Sequence, residues 1–99
     1  MNGDIVRVVA RITARPDTVG TLKTVLLALI EPTSREKGCT AYRLLQNNAD
    51  PTDFTFIEEW ESDAAMDAHL AGPHVQAALS QVPALLAKAP DIQKHTLLG

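Results

Sequence analysis

The stretch from residue 57 to residue 79, IEEWESDAAMDAHLAGPHVQAAL, holds most of the side chains that could do chemistry in this chain. It contains three glutamates, the only tryptophan and two of the three histidines. A histidine gains and loses a proton near neutral pH, and a carboxyl group in a dry pocket can do the same. His69 is placed between Met66 and Leu70, on or beside an apolar stripe. The stretch indicates either an acid–base site next to an aromatic ring, or polar residues without a shared role.

Each of these side chains also has a purely structural interpretation. A lone tryptophan such as Trp60 is more often core packing than part of a site, since its N–H needs only one partner. His69 could be a buried histidine satisfied by a backbone carbonyl. His74 follows Gly72 and Pro73 in the first turn of a helix, where the partial positive charge favours a neutral ring that can accept a proton. Simple surface exposure is the alternative for His74.

A metal site among these residues is not predicted. His69 and His74 are five positions apart, and five helical steps rotate by about 140°, whereas paired helical ligands are normally in register. Glu58 would also have to complete a two-histidine, one-carboxylate set. The single Cys39 allows neither an internal disulfide nor a cysteine metal site. With no glycine-rich phosphate loop either, no metal and no cofactor are expected.

Hydrophobic patterning predicts the elements that position these groups. Residues 4–15 alternate as a strand, and residues 18–37 have helical spacing, with Asp17 as the N-cap, a kink at Pro32 and an end at Gly38. One face of the first strand is wholly apolar and consists of Val6, Val8, Ala10, Ile12 and Ala14. The other elements are strands at 39–47 and 54–61, a helix from Asp63 capped by Ser62, a helix after Gly72 and Pro73 with a kink at Pro83, and a strand at 91–99.

The resulting βαββαβ order predicts a single domain over residues 1–99 with the ferredoxin-like α+β fold and an antiparallel sheet. Helices in that fold cover only one face of the sheet. The opposite face would carry either the set of Arg7, Val9 and Arg11 or the apolar set of the first strand, and either is costly to leave fully wet. The third strand is also apolar on both faces, with Phe56 on one side and Ile57 on the other. The sequence therefore predicts a homodimer that packs sheet against sheet.

Bulk properties exclude several classes of function. The hydrophobic content of 45% and charged content of 21% are ordinary for a globular domain. A net charge of −3 with scattered lysines and arginines disfavours nucleic-acid binding. The longest apolar run, VLLALI at 25–30, is far short of the roughly 20 residues that cross a bilayer. Because the N-terminal residues also lack a signal-peptide pattern, a cytoplasmic protein without membrane or nucleic-acid partners is expected.

Two segments together resemble the antibiotic biosynthesis monooxygenase family. These are REKGCTAYRLL at 35–45 and the stretch at 57–79, with the motifs EKGC…Y, IEEWES and HL…PH. Within that family the chain is most similar to the small bacterial quinol monooxygenases. The resemblance implies a dimeric α+β barrel with a pocket between helices and sheet in each subunit. It also implies an oxygenase that uses no metal, flavin or haem.

In such an oxygenase, a quinol, an anthrone or a similar electron-rich phenol supplies the electrons for dioxygen once it has lost a proton. What the resemblance implies for the site can be stated by role. The residues expected to be catalytic are His69, His74 and Trp60, with either histidine as the base. The residues expected to contact the aromatic substrate are Tyr42, Phe56, Glu58, Met66 and Arg11, with Arg11 steadying the oxyanion.

Three alternatives carry less weight. The haem-degrading branch of the superfamily uses an asparagine on strand one and a histidine on helix two, and this chain has VVARITARP and Leu79 there. A branch that isomerises a small phosphorylated signalling metabolite usually has tyrosine in place of Trp60. The same dimer also serves as a non-catalytic ligand-binding or dimerisation module, because a fold does not determine a function.

Overall fold

The computed structural model describes residues 5–99 and contains a four-stranded antiparallel sheet with helices packed on one face. The elements are β1 (Val6–Thr13), α1 (Val19–Leu27), α2 (Ile30–Ser34), β2 (Cys39–Gln46), β3 (Asp53–Trp60), α3 (Asp63–Ala71), α4 (Pro73–Leu85) and β4 (Asp91–His95). The strand order is β2-β3-β1-β4, and each neighbouring pair is antiparallel. This is the ferredoxin-like α+β fold, as the order of predicted elements indicates.

Each of the two central strands buries one face, and for β1 it is the face predicted to be wholly apolar. Ala10 pairs with Phe56 and Val8 pairs with Glu58, so the buried residues of β1 and β3 share the helix-covered face. Leu22 and Leu26 of α1 close this core from above and are almost completely buried. Because side chains alternate along a strand, the intervening residues of both strands lie on the opposite face.

The predicted long helix at 18–37 is two helices, separated at residues 28–29. Pro32 is the cause, since it has no N–H to bond the carbonyl of Ala28 and its ring crowds that carbonyl. The N–H of Leu29 instead bonds the carbonyl of Leu26 at 3.1 Å, a tighter turn that redirects the chain. The bend thus lies one turn before the proline, and α2 ends at Ser34, earlier than expected.

The N-terminal cap of α1 was also predicted wrongly. Asp17 lies in a turn, and the N-cap is Thr18, whose side chain makes no capping bond to the helix. The Thr18 hydroxyl instead donates to the carbonyl of Leu85 at 2.6 Å and ties the start of α1 to the end of α4. Gly38 takes the expected left-handed conformation, with φ of +87°.

The helix boundaries in the second half of the chain lie close to their predicted positions. Ser62 accepts a hydrogen bond from the N–H of Ala65 at 3.1 Å and caps α3. The predicted break at Gly72 separates α3 from α4, whereas Pro83 is accommodated in the last turn of α4, which ends two residues later.

The last strand, β4, is shorter than the predicted 91–99. Its register with β1 pairs Arg7 with His95, so residues beyond 96 run past the start of β1 at Val6 and have no strand opposite them. The predicted start of the first strand at residue 4 lies outside the described residues. Among residues 5–99, no helix combines the length and the hydrophobicity that crossing a membrane requires.

Candidate active site

A cavity of about 60 Å³ lies between the sheet and the helices. Its walls are mostly apolar, and its lining residues come from both central strands, α1, α3 and α4, Phe56 and Met66 among them. Leu79 and Ile92 also line it and are 39% and 42% exposed, which marks the side on which it opens. The polar side chains in the lining are Tyr42, Glu58 and His69.

Strand register brings two of these polar groups together. Tyr42 of β2 is the cross-strand partner of Glu58 of β3, so both side chains lie on the same face of the sheet. The rings of Tyr42 and Phe56 stack with their centroids 4.8 Å apart. On α3, Met66 and His69 are three residues apart and therefore lie on one side of the helix, above these strands.

Burial controls the protonation of the groups on the sheet side. Glu58 is 4% exposed, and burial raises the pKa of its carboxyl group, against the opposing effects of a hydrogen bond from Trp60 and of the nearby His69. The Trp60 Nε1–H donates to Glu58 Oε1 at 2.9 Å. Burial, followed by the negative charge of Glu58, raises the pKa of the Tyr42 phenol well above its ordinary value. Tyr42 is therefore a neutral hydroxyl at physiological pH.

On the helix side, one glutamate joins both histidines. Glu36 Oε2 is 2.9 Å from His69 Nδ1 and 2.6 Å from His74 Nε2. Glu36 lies in the turn after α2, His69 in the last turn of α3 and His74 in the first turn of α4. An ionised carboxylate only accepts hydrogen bonds, so the nitrogens that face it carry the protons. In neutral His69 this leaves Nε2 as the basic nitrogen.

The structure brings five of the eight predicted site residues to the cavity, and three lie elsewhere. The five are Tyr42, Phe56, Glu58, Met66 and His69. Trp60 is fully buried with its ring centroid 4.6 Å from that of His69, so the indole packs against the imidazole and is not part of the cavity lining. His74 is also outside the lining and reaches His69 through Glu36.

Arg11 lies on the wrong face of the sheet for its predicted role. Its neighbours Ala10 and Ile12 line the cavity, and alternation along β1 directs Arg11 to the opposite side. There its guanidinium donates to Asp53 Oδ2 at 3.2 Å, with most of the side chain in solvent. Arg11 therefore cannot steady an oxyanion in the cavity of its own subunit.

Glu36 is the site residue that the sequence reasoning missed. It is 33 positions from His69 and 38 from His74, so no local spacing relates the three. The one available signal was its place in the segment REKGC, at the end of a helix whose closing glycine turns the chain toward the next strand.

Glu36, His69 and His74 are also the residues within 5–99 that could hold a metal ion, with their ligand atoms all within 4.8 Å of one another. The carboxylate that contacts both histidines is thus Glu36 and not Glu58. Both nitrogen–oxygen distances are hydrogen-bond lengths. Ligands placed tetrahedrally about 2.0–2.1 Å from zinc lie roughly 3.3 Å from one another. The observed spacing is that of a hydrogen-bonded cluster, and an ion would have to separate the groups and displace their protons.

An antiparallel sheet that holds an apolar cavity with three ionisable groups against its helices defines a small ferredoxin-like α+β domain with an internal pocket. A sequence model of one family, described as antibiotic biosynthesis monooxygenase, matches residues 5–81. The chain belongs to this family.

Several relatives support the assignment. A Mycobacterium tuberculosis protein named "Putative monooxygenase Rv0793" is 37% identical over 83 residues, which cover 84% of this chain and 81% of that protein. "Uncharacterized protein sll1783" of Synechocystis sp. is 30% identical over 94 residues, and the match covers 95% of this chain but 64% of that longer relative. Among solved structures, Rv0793 superimposes with a TM-score of 0.90 at 31% identity over 97% of both chains. PA3566 of Pseudomonas aeruginosa gives 0.93 at 31% identity over 100% of this chain and 99% of its own.

Proposed function

We propose that the protein is a monooxygenase for electron-rich phenols of the quinol or anthrone type, with His69 as the base. The observation that carries the proposal is a buried imidazole in the wall of an apolar cavity, held through Nδ1 by a carboxylate. Such an imidazole can take a proton from a hydroxyl group while the apolar walls keep water away. Family membership supports the oxygenase class, and the apolar cavity supports a substrate with a flat apolar ring.

The substrate supplies the electrons in this reaction. His69 Nε2 takes a proton from the hydroxyl group of a quinol, or from the enol tautomer of an anthrone. The resulting anion passes one electron to dioxygen. The carbon radical and superoxide then combine to form a carbon–oxygen bond. For an anthrone, the peroxide takes the proton back from His69 and loses water, so that a CH₂ group and O₂ become a C=O group and H₂O. The proposed sequence needs no metal, flavin or haem.

The cavity lining favours a flat ring with its polar group at one end. Tyr42, Glu58 and His69 are the polar residues of an otherwise apolar wall. An apolar cavity of roughly 150 Å³ holds a benzene-sized ring, so the cavity of about 60 Å³ must widen when a quinol enters. The exposed side chains of Leu79 and Ile92 at its opening are the ones free to move outward.

A phosphorylated sugar-like substrate fits this cavity less well. Its phosphate would require cationic or backbone N–H partners, and no lysine or arginine is among the described lining residues. The apolar lining therefore favours the phenol oxygenase over the non-redox isomerase. A non-catalytic module that binds the same ligand would need a cavity of the same shape. Oxygen uptake distinguishes it from an oxygenase.

We also propose that the functional unit is a homodimer that packs through the open face of the sheet. Leu45 and Ile57 are 50% and 37% exposed on that face, and Val9 pairs with Ile57 beside them. A second copy of the same face would remove these side chains from water.

The decisive test is oxygen uptake with a panel of hydroquinones and anthrones, in the presence of a metal chelator and without added cofactor. At least one substrate should be consumed faster than without protein. His69→Gln should lower kcat about 10²- to 10⁴-fold, the usual contribution of a general base. The matched control is His95→Gln, which should keep full activity. His95 is exposed and, within residues 5–99, its ring bonds the carbonyl of Gln93. If oxygen uptake equals the protein-free rate with every substrate, the oxygenase proposal is wrong and the non-catalytic ligand-binding module replaces it.

A further inference from the structure

The cluster of Glu36, His69 and His74 has a gradient of exposure across it. His69 is 3% exposed at the cavity wall, whereas the side chains of Glu36 and His74 are 20% and 28% exposed. All three meet at one oxygen atom, Glu36 Oε2, and belong to three different elements. A base that acts alone needs neither of the other two groups, so their convergence calls for a role of its own.

We propose that Glu36 is a positioning residue that holds His69 as the Nδ1–H tautomer with Nε2 toward the substrate, and that His74 holds Glu36 in place. This inference rests on the proposed function, in which His69 is the base. Neither Glu36 nor His74 touches the substrate. The arrangement replaces the expectation that His74 is an alternative base.

The electrostatics of the cluster support this division of roles. When His69 takes a proton from the substrate at Nε2, it becomes an imidazolium beside Glu36, and the carboxylate stabilises the new charge without accepting the proton. Glu58 of β3 also lies near His69, but burial disfavours the charged form of its carboxyl group, so Glu36 is the carboxylate assigned to the ring. Tyr42 of β2 faces the same ring at 5.5 Å between centroids and stays neutral.

The stoichiometry of the reaction favours a clamp over a path for protons to solvent. The proton that leaves the anthrone returns to the peroxide, and no net proton is released. His69 can therefore act first as base and then as acid within one turnover, and it needs no path that carries the proton to solvent. A fixed carboxylate behind the ring stabilises the protonated ring between these two steps, and His74 prevents the partly exposed Glu36 side chain from turning out into water.

The proposal can be tested without any substrate. Nitrogen-15 NMR of the histidine side chains in the folded protein should show His69 protonated at Nδ1 and unprotonated at Nε2 in its neutral form. Glu36→Gln should remove this preference, because an amide can present either an acceptor or a donor to the ring. Glu31→Gln is the matched control. Glu31 is exposed on α2, and its carboxylate pairs with Arg35, four residues later. A wild-type His69 protonated at Nε2 would overturn the proposal.

Kinetics provide the second readout once a substrate is known. Glu36→Gln should lower kcat about 10²-fold or more with KM nearly unchanged, as expected when a base loses its orienting carboxylate. His74→Gln should lower kcat less, and Glu31→Gln should not change it. Full turnover in Glu36→Gln would overturn the proposal.

A zinc titration of the wild-type protein separates a clamp from a metal centre. Little or no zinc binding is expected. Tight 1:1 binding lost in all of Glu36→Gln, His69→Gln and His74→Gln would overturn the clamp in favour of a coordination site. If no phenol is oxidised at all, the proposed function fails, and the NMR result still decides the tautomer.

Discussion

Two carboxyl groups lie near the His69 imidazole, Glu58 in the cavity lining and Glu36 behind the ring, and their surroundings differ. Glu58 is buried with one hydrogen bond, from Trp60, so its environment favours the neutral form more than water does. Glu36 is partly exposed, and its carboxylate contacts two histidines, each of which can donate an N–H hydrogen bond to it. Pairs of titratable groups in contrasting environments are a common feature of acid–base sites. Around His69, the role proposed for Glu36 is to orient the ring, whereas Glu58 is the group whose burial disfavours ionisation.

Replacing Glu58 by glutamine should stabilise the protein in a pH-dependent way. Burial makes the folded-state pKa of Glu58 higher than its unfolded value, so the wild type loses stability as the pH rises through that raised pKa. Glutamine keeps an acceptor for the Trp60 N–H but has no charge to bury. In urea unfolding, Glu58→Gln should be more stable than the wild type at pH 8, and the difference should shrink toward pH 4.

Glu59→Gln serves as the control for this change, because Glu59 is on the opposite face and 3.9 Å from Arg7 at the surface. Its effect on unfolding should be small at both pH values. A wild type that is more stable than Glu58→Gln at pH 8 would contradict the inferred cost of ionising Glu58.

At the level of elements, the turn between α2 and β2 positions the clamp. Gly38 has φ of +87°, and its carbonyl accepts the N–H of Glu61, which joins the turn to the end of β3. A Cβ atom at Gly38 would lie 2.6 Å from the Cβ of Ala65 on α3. The turn therefore approaches α3 closely because residue 38 has no side chain, and this close approach places Glu36 within reach of His69.

Gly38→Ala should destabilise the fold by about 2 kcal/mol or more, from the left-handed conformation and the contact with Ala65 together. It should also weaken the hydrogen bond between Glu36 and His69. The preference of His69 for the Nδ1–H tautomer, measured by the proposed NMR experiment, should then be smaller. Gly20→Ala is the matched control: Gly20 is on α1 with nothing within 4 Å of its added methyl group. That change should be neutral or stabilise the fold by about 0.5–1 kcal/mol, as measured by urea unfolding. Equal unfolding midpoints for the two variants would refute the argument.

Local patterns predicted the elements well because their causes are local. Alternation in β1 and β3 identified the buried face, and the Ser62 cap and the Gly72 break were set by residues next to them. The errors came where a distant group decided the outcome. Thr18 caps nothing in its own helix, and its hydroxyl instead bonds the carbonyl of Leu85, 67 positions away. For the same reason Glu36 was overlooked, since only the folded chain brings it to the histidines.

At the scale of the whole molecule, the two faces of the sheet have different tasks. The covered face holds the cavity and its ionisable groups. The open face has an apolar centre around Ile57, which pairs with Val9 on one side and Arg43 on the other. The ion pairs of Arg7 with Glu59 and of Arg11 with Asp53 lie toward its two ends. An apolar centre with a charged rim is the usual composition of a protein–protein interface.

The dimer proposed for this face predicts how single charges will act on its assembly. Sedimentation equilibrium at micromolar concentration should give twice the 10.7 kDa chain mass for the wild type. Ile57→Lys should shift the mass toward 10.7 kDa, because an ammonium group in the centre of the interface would face its symmetry mate without a counter-ion. The side chain of Ile57 is 37% exposed in one subunit, so the lysine can reach water there and the fold should survive.

Leu27→Lys introduces the same charge on α1, at a leucine that is 52% exposed and away from the open face of the sheet. It should remain dimeric, which separates the loss of the interface from a general effect of added charge. If both variants stay dimeric, the subunits associate through another surface. A wild type with the mass of a single chain would show that the open face stays in water, and the apolar centre around Ile57 would then need a different partner.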